Sequence, residues 1–163
     1  MDIRITPQKL KGYVEIPASK SVAHRMLICA SLAGNSEITG INFSKDIEAT
    51  VHAMNALGSV IRTHQNSADI SSEISPPEKA VIDCNESGST LRFIIPVASA
   101  LGVETEFHGR GRLPQRPIDI YIRELGKHGI TFDYNNAMPF TMSGQLTSGI
   151  YEIEGNVSSQ FIT

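Results

Sequence analysis

The chain has 163 residues, of which 40% are hydrophobic and 19% charged, and its formal net charge is −3. This balance describes a globular chain, with apolar material for one ordinary core or part of a larger one, and excludes a disordered chain. The acidic surplus excludes a nucleic-acid domain built on a broad basic face, although a local basic cluster can still hold a small anion.

In chain order, the start Met1-Asp2-Ile3-Arg4-Ile5 lacks the apolar core of a secretory signal. Residues 3–5 and 12–16 read as short strands around the turn Gln8-Lys9-Leu10-Lys11. A helix is expected over 21–32, closed by Ala33-Gly34-Asn35 with glycine in the C-cap role. Residues 36–41 read as a strand. Ser44-Lys45-Asp46 then opens a second helix in which Ile47, Val51, Met54 and Leu57 share one face, and Gly58 stops it. Strands are expected at 60–62 and 80–83, separated by a polar stretch containing Pro76-Pro77.

The order then recurs. A helix is expected over 89–101 with Pro96 as an irregularity, then a strand over 103–108. A helix over 117–128 opens on a proline, and strands follow at 130–132 and 150–153. Ala56-Leu57-Gly58 and Glu124-Leu125-Gly126 hold the same place in the two halves. The expected fold class is α/β: two βαβαββ-type units and the opening of a third near Asn156. The apolar stretch 93–103 contains Pro96 and is too short for a membrane helix, which needs roughly 20 residues. With no export signal, Cys29 and Cys84 are expected as reduced, buried thiols of a cytoplasmic protein.

Three serine-rich turns open helices at nearly equal spacing: Ala18-Ser19-Lys20-Ser21, Ser87-Gly88-Ser89-Thr90 and Asn156-Val157-Ser158-Ser159-Gln160. Serine hydroxyls and unpaired N–H groups at a helix start point the same way and suit an anion. Lys20, Arg25, Arg92 and Arg116 lie beside these turns, which suggests a ligand with several negative charges. Ser21 and Arg25, four apart, share a helix face with Lys20 beside them. Helix capping with solvated cations is the plainer alternative for each turn. Glu86 stands at an awkward place, because a carboxylate there repels an anion.

Gly109-Arg110-Gly111-Arg112-Leu113-Pro114-Gln115-Arg116-Pro117 concentrates arginines in a loop, and Arg116, before a helix-starting proline, is the one held most rigidly. The loop lacks the interleaved aromatic residues of an RNA-binding stretch and the third glycine of a dinucleotide fingerprint. The five histidines and two cysteines show no metal-ligand spacing, so neither a metal nor a cofactor is expected.

Taken together, residues 17–25, 83–92, 113–117 and 155–161 resemble the enolpyruvyl transferase family, in the branch that acts on shikimate 3-phosphate. The resemblance implies transfer of the carboxyvinyl group of phosphoenolpyruvate to the 5-hydroxyl of shikimate 3-phosphate, with release of phosphate. It also implies an inside-out α/β barrel of two domains, each of three βαβαββ units, with ligands in the cleft between them. Residues 1–19 would then belong to the domain built mainly by the C-terminal half. Residues 20–163 would be an incomplete shikimate-phosphate-binding domain, in a chain that is an N-terminal fragment and inactive alone.

By the same resemblance Lys20 is catalytic and meets both substrates. Ser21, Arg25, Ser158 and Ser159 bind shikimate 3-phosphate, while Gly88, Arg116 and Gln160 bind phosphoenolpyruvate. Gly88 leaves room for the mimic glyphosate. The implied partners are these small molecules alone, with no nucleic acid and no membrane, acting on a monomer. The family commonly shows Gly-Asn-Ser-Gly-Thr where this chain has Asn85-Glu86-Ser87-Gly88-Ser89, so no ligand contact is assigned to Glu86. A non-catalytic anion-binding module is an alternative. A transferase acting on a nucleotide sugar is another, disfavoured because Ser21 stands where asparagine typically follows the lysine.

Overall fold

Ser19 decides where the first helix begins: its hydroxyl accepts the Val22 N–H, and helix α1 runs Lys20–Ala33. Gly34, at φ 69°, closes it by donating its N–H to the Ala30 carbonyl. A computed structural model describes residues 3, 4, 6, 7, 9, 11–71 and 73–162. Strand β1 (Ser36–Thr39) follows, then α2 (Lys45–Ala56), β2 (Ile61–Thr63), β3 (Ser67–Ile70) and β4 (Lys79–Asp83). The second half contains α3 (Gly88–Leu101), β5 (Glu104–His108), α4 (Asp119–Gly126), β6 (Ile130–Asp133) and β7 (Phe140–Gly144). Short 3-10 turns occupy Leu113–Gln115 and Ser159–Phe161.

The two halves repeat one topology. Strands β1-β3-β2 form an antiparallel sheet, and β5-β7-β6 form an antiparallel set in the same order. The second half adds β4, parallel to β5, and is therefore a complete βαβαββ unit. The first half has no counterpart of β4 among the described residues. Residues 12–16, expected as that strand, are not one: Tyr13, Val14 and Ile16 are exposed and no described strand lies beside them to take their hydrogen bonds. The expected strand at 3–5 falls partly on residue 5, outside the described residues, and Ile3 and Arg4 are not in a strand.

Other expectations are corrected as well. β3 and β7 went unpredicted although each buries alternate residues, because Ala68 and Asp69 are poor strand formers and β7 begins directly after Pro139 and ends on Gly144, which read as turn residues. Residues 150–153 are not a strand; the Glu124 carboxylate holds them by accepting the Glu152 N–H at 2.8 Å. α4 starts at Asp119 rather than at Pro117, because Arg116 is extended ahead of the proline. Cys29 is exposed on α1, whereas Cys84 is buried as expected.

The core is continuous across both units. Ile47, Met54 and Leu57 are fully buried, so the α2 periodicity was a true core face. Truncating Met54 to alanine there would cost about 2–5 kcal/mol. Phe107 and Phe140, opposite each other on β5 and β7, stack with centroids 5.1 Å apart. Gly58, at φ 98°, ends α2 where any side chain would overlap the Ser75 carbonyl. Among the described residues no helix is long and apolar enough to cross a membrane.

Candidate anion-binding site

The N-terminal turns of α1, α2 and α3 are tied together. Lys20 Nζ of α1 lies 2.5 Å from Asp46 Oδ2 in the first turn of α2. The Asp46 carbonyl accepts the Thr90 hydroxyl of α3 at 3.2 Å. Each helix start carries partial positive charge from unpaired N–H groups, so their convergence favours a bound anion.

Beneath them runs a buried polar chain: His24 Nδ1 to Thr50 Oγ1, Thr50 Oγ1 to Thr90 Oγ1, and Thr90 Oγ1 to Ser87 Oγ, each 2.7 Å. Ser87 also caps α3 by accepting the Thr90 N–H. Burial pushes His24 down to about 4, against a smaller opposing pull from Asp46, so the ring is neutral near pH 7.

The turn before α3 is shaped by Asn85, whose φ of 53° is the left-handed conformation that asparagine tolerates. Asn85 accepts the Arg110 N–H through its carbonyl, and the Arg110 side chain pairs with Asp83. This fixes the arginine loop against α3. Arg116 then lies over the helix start so closely that a Cβ on Gly88 would collide with its Nη1. Glu86 is exposed and packs against Gly111. It lines a polar cleft of about 860 Å³ with Asp46, Asp83 and Arg110, which neither Gly88 nor Arg116 lines.

The third motif docks on α3 through Phe161, which is buried edge-to-face against Tyr121 at 5.0 Å and under the Arg92 guanidinium at 4.9 Å. Gln160 is thereby brought to α3, where its Oε1 accepts from Arg92 Nη1 at 2.6 Å and its Nε2 donates to Ser89 Oγ at 2.8 Å. Ser158 caps this short turn by accepting the Gln160 N–H; Ser159 is exposed. Arg25 donates to the Ser21 carbonyl and lies 4.8 Å over the Phe93 ring, beside Arg92 in sequence. Gly88, Arg116 and Gln160 thus surround one helix start, while Lys20, Ser21 and Arg25 lie along α1.

A model of the family described as EPSP synthase (3-phosphoshikimate 1-carboxyvinyltransferase) matches residues 5–163. The chain belongs to the EPSP synthase family. A 3-phosphoshikimate 1-carboxyvinyltransferase of Clostridium kluyveri is 46% identical over 164 residues, covering 99% of this chain and 38% of that protein. The Clostridium beijerinckii protein of the same name is 42% identical, covering 99% and 40%. The chain therefore spans about two fifths of these relatives. An EPSP synthase from Acinetobacter baumannii has the same fold, with a TM-score of 0.74 over 92% of this chain and 37% of that one at 22% identity.

Within this EPSP synthase segment, sequence reasoning gave Asp46 and Thr90 only as members of helix-opening turns and missed Thr50 and Tyr121. The contacts that matter here join elements far apart in the chain, so no local pattern marks them. It also set His24 aside for want of metal-ligand spacing, although that ring organises the buried chain.

Proposed function

We propose that this chain holds shikimate 3-phosphate and forms one wall of the phosphoenolpyruvate site in an enzyme that joins the two. Arg116, lying over Gly88 at the start of α3, is the observation that carries this reading. No carboxylate pairs with Arg116 among the described residues, so its charge is available to an acidic ligand. Names shared by relatives at 42% and 46% identity support it.

In this reading Lys20 exchanges Asp46 for the phosphate of phosphoenolpyruvate. Arg116 takes the carboxylate of that substrate, with Gln160 and the Gly88 backbone beside it. Ser21 and Arg25 hold the shikimate ring, and Ser158 and Ser159 its phosphate. Protonation of the methylene carbon of phosphoenolpyruvate leaves a cationic centre, which the 5-hydroxyl attacks as it loses its own proton. The tetrahedral adduct then expels phosphate and returns a proton from the methyl carbon. Lys20 and Arg116 stabilise the anionic groups throughout, with charge-assisted hydrogen bonds of about 1.5–3 kcal/mol each.

Residues 1–19 contribute to the other domain, and the third unit opens near 156. Its helix would continue from the turn at Ser159–Phe161, beside the apolar pocket of about 400 Å³ that Phe161 and Ile162 line with Tyr121, Leu125 and Tyr151. The enzyme works as a cytoplasmic monomer on small molecules, without nucleic acid, metal or cofactor.

The test is phosphate release by the protein at the length of its relatives. Release should require both phosphoenolpyruvate and shikimate 3-phosphate, and residues 1–163 alone should give none. Equal release with a uridine-diphosphate sugar in place of shikimate 3-phosphate would overturn the substrate assignment.

A further inference from the structure

Arg92 is a charged side chain only 9% exposed, its Nε is buried without a hydrogen-bond partner, and no carboxylate pairs with it among the described residues. Its neighbouring charge is Arg116, which repels it. A fold that keeps a guanidinium under these conditions gains little stability from it, so its placement calls for another explanation.

The explanation lies in what Arg92 does to Gln160. A guanidinium can only donate, so the group facing Arg92 Nη1 must be the amide oxygen Oε1, at 2.6 Å. That fixes Nε2 on the other side, where it donates to Ser89 Oγ at 2.8 Å. A serine oxygen that accepts there has its single proton free for a different acceptor. The three groups therefore form a one-way relay, Arg92 to Gln160 to Ser89, that cannot reverse while arginine is at its head. Ser89 is partly exposed and follows Gly88 in the first turn of α3, over which Arg116 lies.

The geometry points to Ser89 as a further donor to the anionic ligand at this helix start, with Arg92 as the positioning residue that turns its hydroxyl outward. This rests on the phosphoenolpyruvate reading above for the identity of the anion. Without Arg92 the Gln160 amide can flip, and Ser89 then donates inward to Oε1 and is lost to the ligand.

A double-mutant cycle in the full-length protein tests the relay. Ser89→Ala and Arg92→Met should each raise the KM for phosphoenolpyruvate roughly tenfold, as expected for one charge-assisted hydrogen bond, with kcat and shikimate 3-phosphate binding held. The double variant should lie within about twofold of either single one, because both remove the same bond. Arg92→Lys, which also only donates, should restore most of the affinity. A merely structural role moves the melting temperature and gives no such non-additivity. An unchanged KM in Ser89→Ala, or losses that multiply to about a hundredfold, overturns the relay. Where Arg92→Met does not fold, Arg92→Gln, which lets the relay reverse, takes its place in the cycle. A wild-type protein that releases no phosphate from phosphoenolpyruvate overturns the substrate reading instead. The same cycle is then read as protection against thermal unfolding by inorganic phosphate, with additive losses again overturning the relay.

Discussion

The Tyr121 hydroxyl donates to the backbone carbonyl of Arg92 at 2.8 Å. In a regular helix that carbonyl would accept the N–H four residues on, but position 96 is proline and has none. Tyr121 of α4 thus supplies the donor that α3 lacks, and in doing so fixes the turn that carries Arg92 beside Gln160. Burial raises the Tyr121 phenol well above its ordinary value, so it remains a donor at any working pH.

Tyr121→Phe should therefore destabilise the protein by about 1–3 kcal/mol, the cost of leaving a buried acceptor unpaired. Urea denaturation measures this directly. In a Pro96→Ala background the helix regains its own N–H, and the same substitution should cost distinctly less. Equal costs in the two backgrounds would show that the hydroxyl does not stand in for the donor that Pro96 lacks and acts instead through its second acceptor, the Gln160 carbonyl at 3.4 Å.

Gly88→Ala should act on ligand binding far more than on stability. Alanine is a better helix former than glycine, and the exposed Arg116 side chain can swing away from the added methyl. Displacing that guanidinium removes one charged contact, so the KM for phosphoenolpyruvate should rise about tenfold or more, with binding of shikimate 3-phosphate little changed. Steady-state kinetics and a shikimate 3-phosphate titration on the same variant separate the two. Parallel losses for both substrates would count against Arg116 as a phosphoenolpyruvate group.

The α2 face and the helix caps at Ser19 and Ser87 were legible from the sequence because each depends on residues within a few positions. The repeat was legible for the same reason, since its markers recur as short local motifs. β3 and β7 were not, because Ala68 and Asp69 disfavour a strand and Pro139 and Gly144 frame β7 as if it were a turn, and only pairing with neighbouring strands overrides those local preferences. The buried His24-Thr50-Thr90 chain was invisible because its members come from three helices, and polar residues inside a helix look solvated until the packing is known. Residues 12–16 failed in the opposite direction: their alternation is strand-like, but a strand needs a neighbour, and none is described beside them.

The two thiols should differ sharply in reactivity. Cys29 is exposed, whereas burial pushes Cys84 up to about 12, with the Asp83 charge adding to the effect. A chromogenic disulfide at pH 8 should modify one thiol quickly in the folded protein and the second only on unfolding. Cys29→Ser should abolish the fast phase. Fast modification of both thiols in the native protein would contradict the packing of the β4–α3 turn.

Stability should fall in mildly acidic solution because of His24. Its folded value is about 4 against an ordinary 6.5, with burial as the main cause, Asp46 opposing it, and Lys20 and Arg25 adding to it. Between those two values the unfolded chain binds a proton that the folded chain refuses, so stability declines as pH falls through this window. Below about 4 both states are protonated and this contribution stops changing. His24→Asn keeps a side chain able to hydrogen-bond Thr50 but does not titrate. Its stability, measured by urea denaturation across the same range, should therefore decline less steeply with falling pH than that of the wild type. Carboxylates common to both proteins cancel in the comparison. Parallel profiles would mean that the ring is protonated in the fold, and that Thr50 does not receive a neutral histidine.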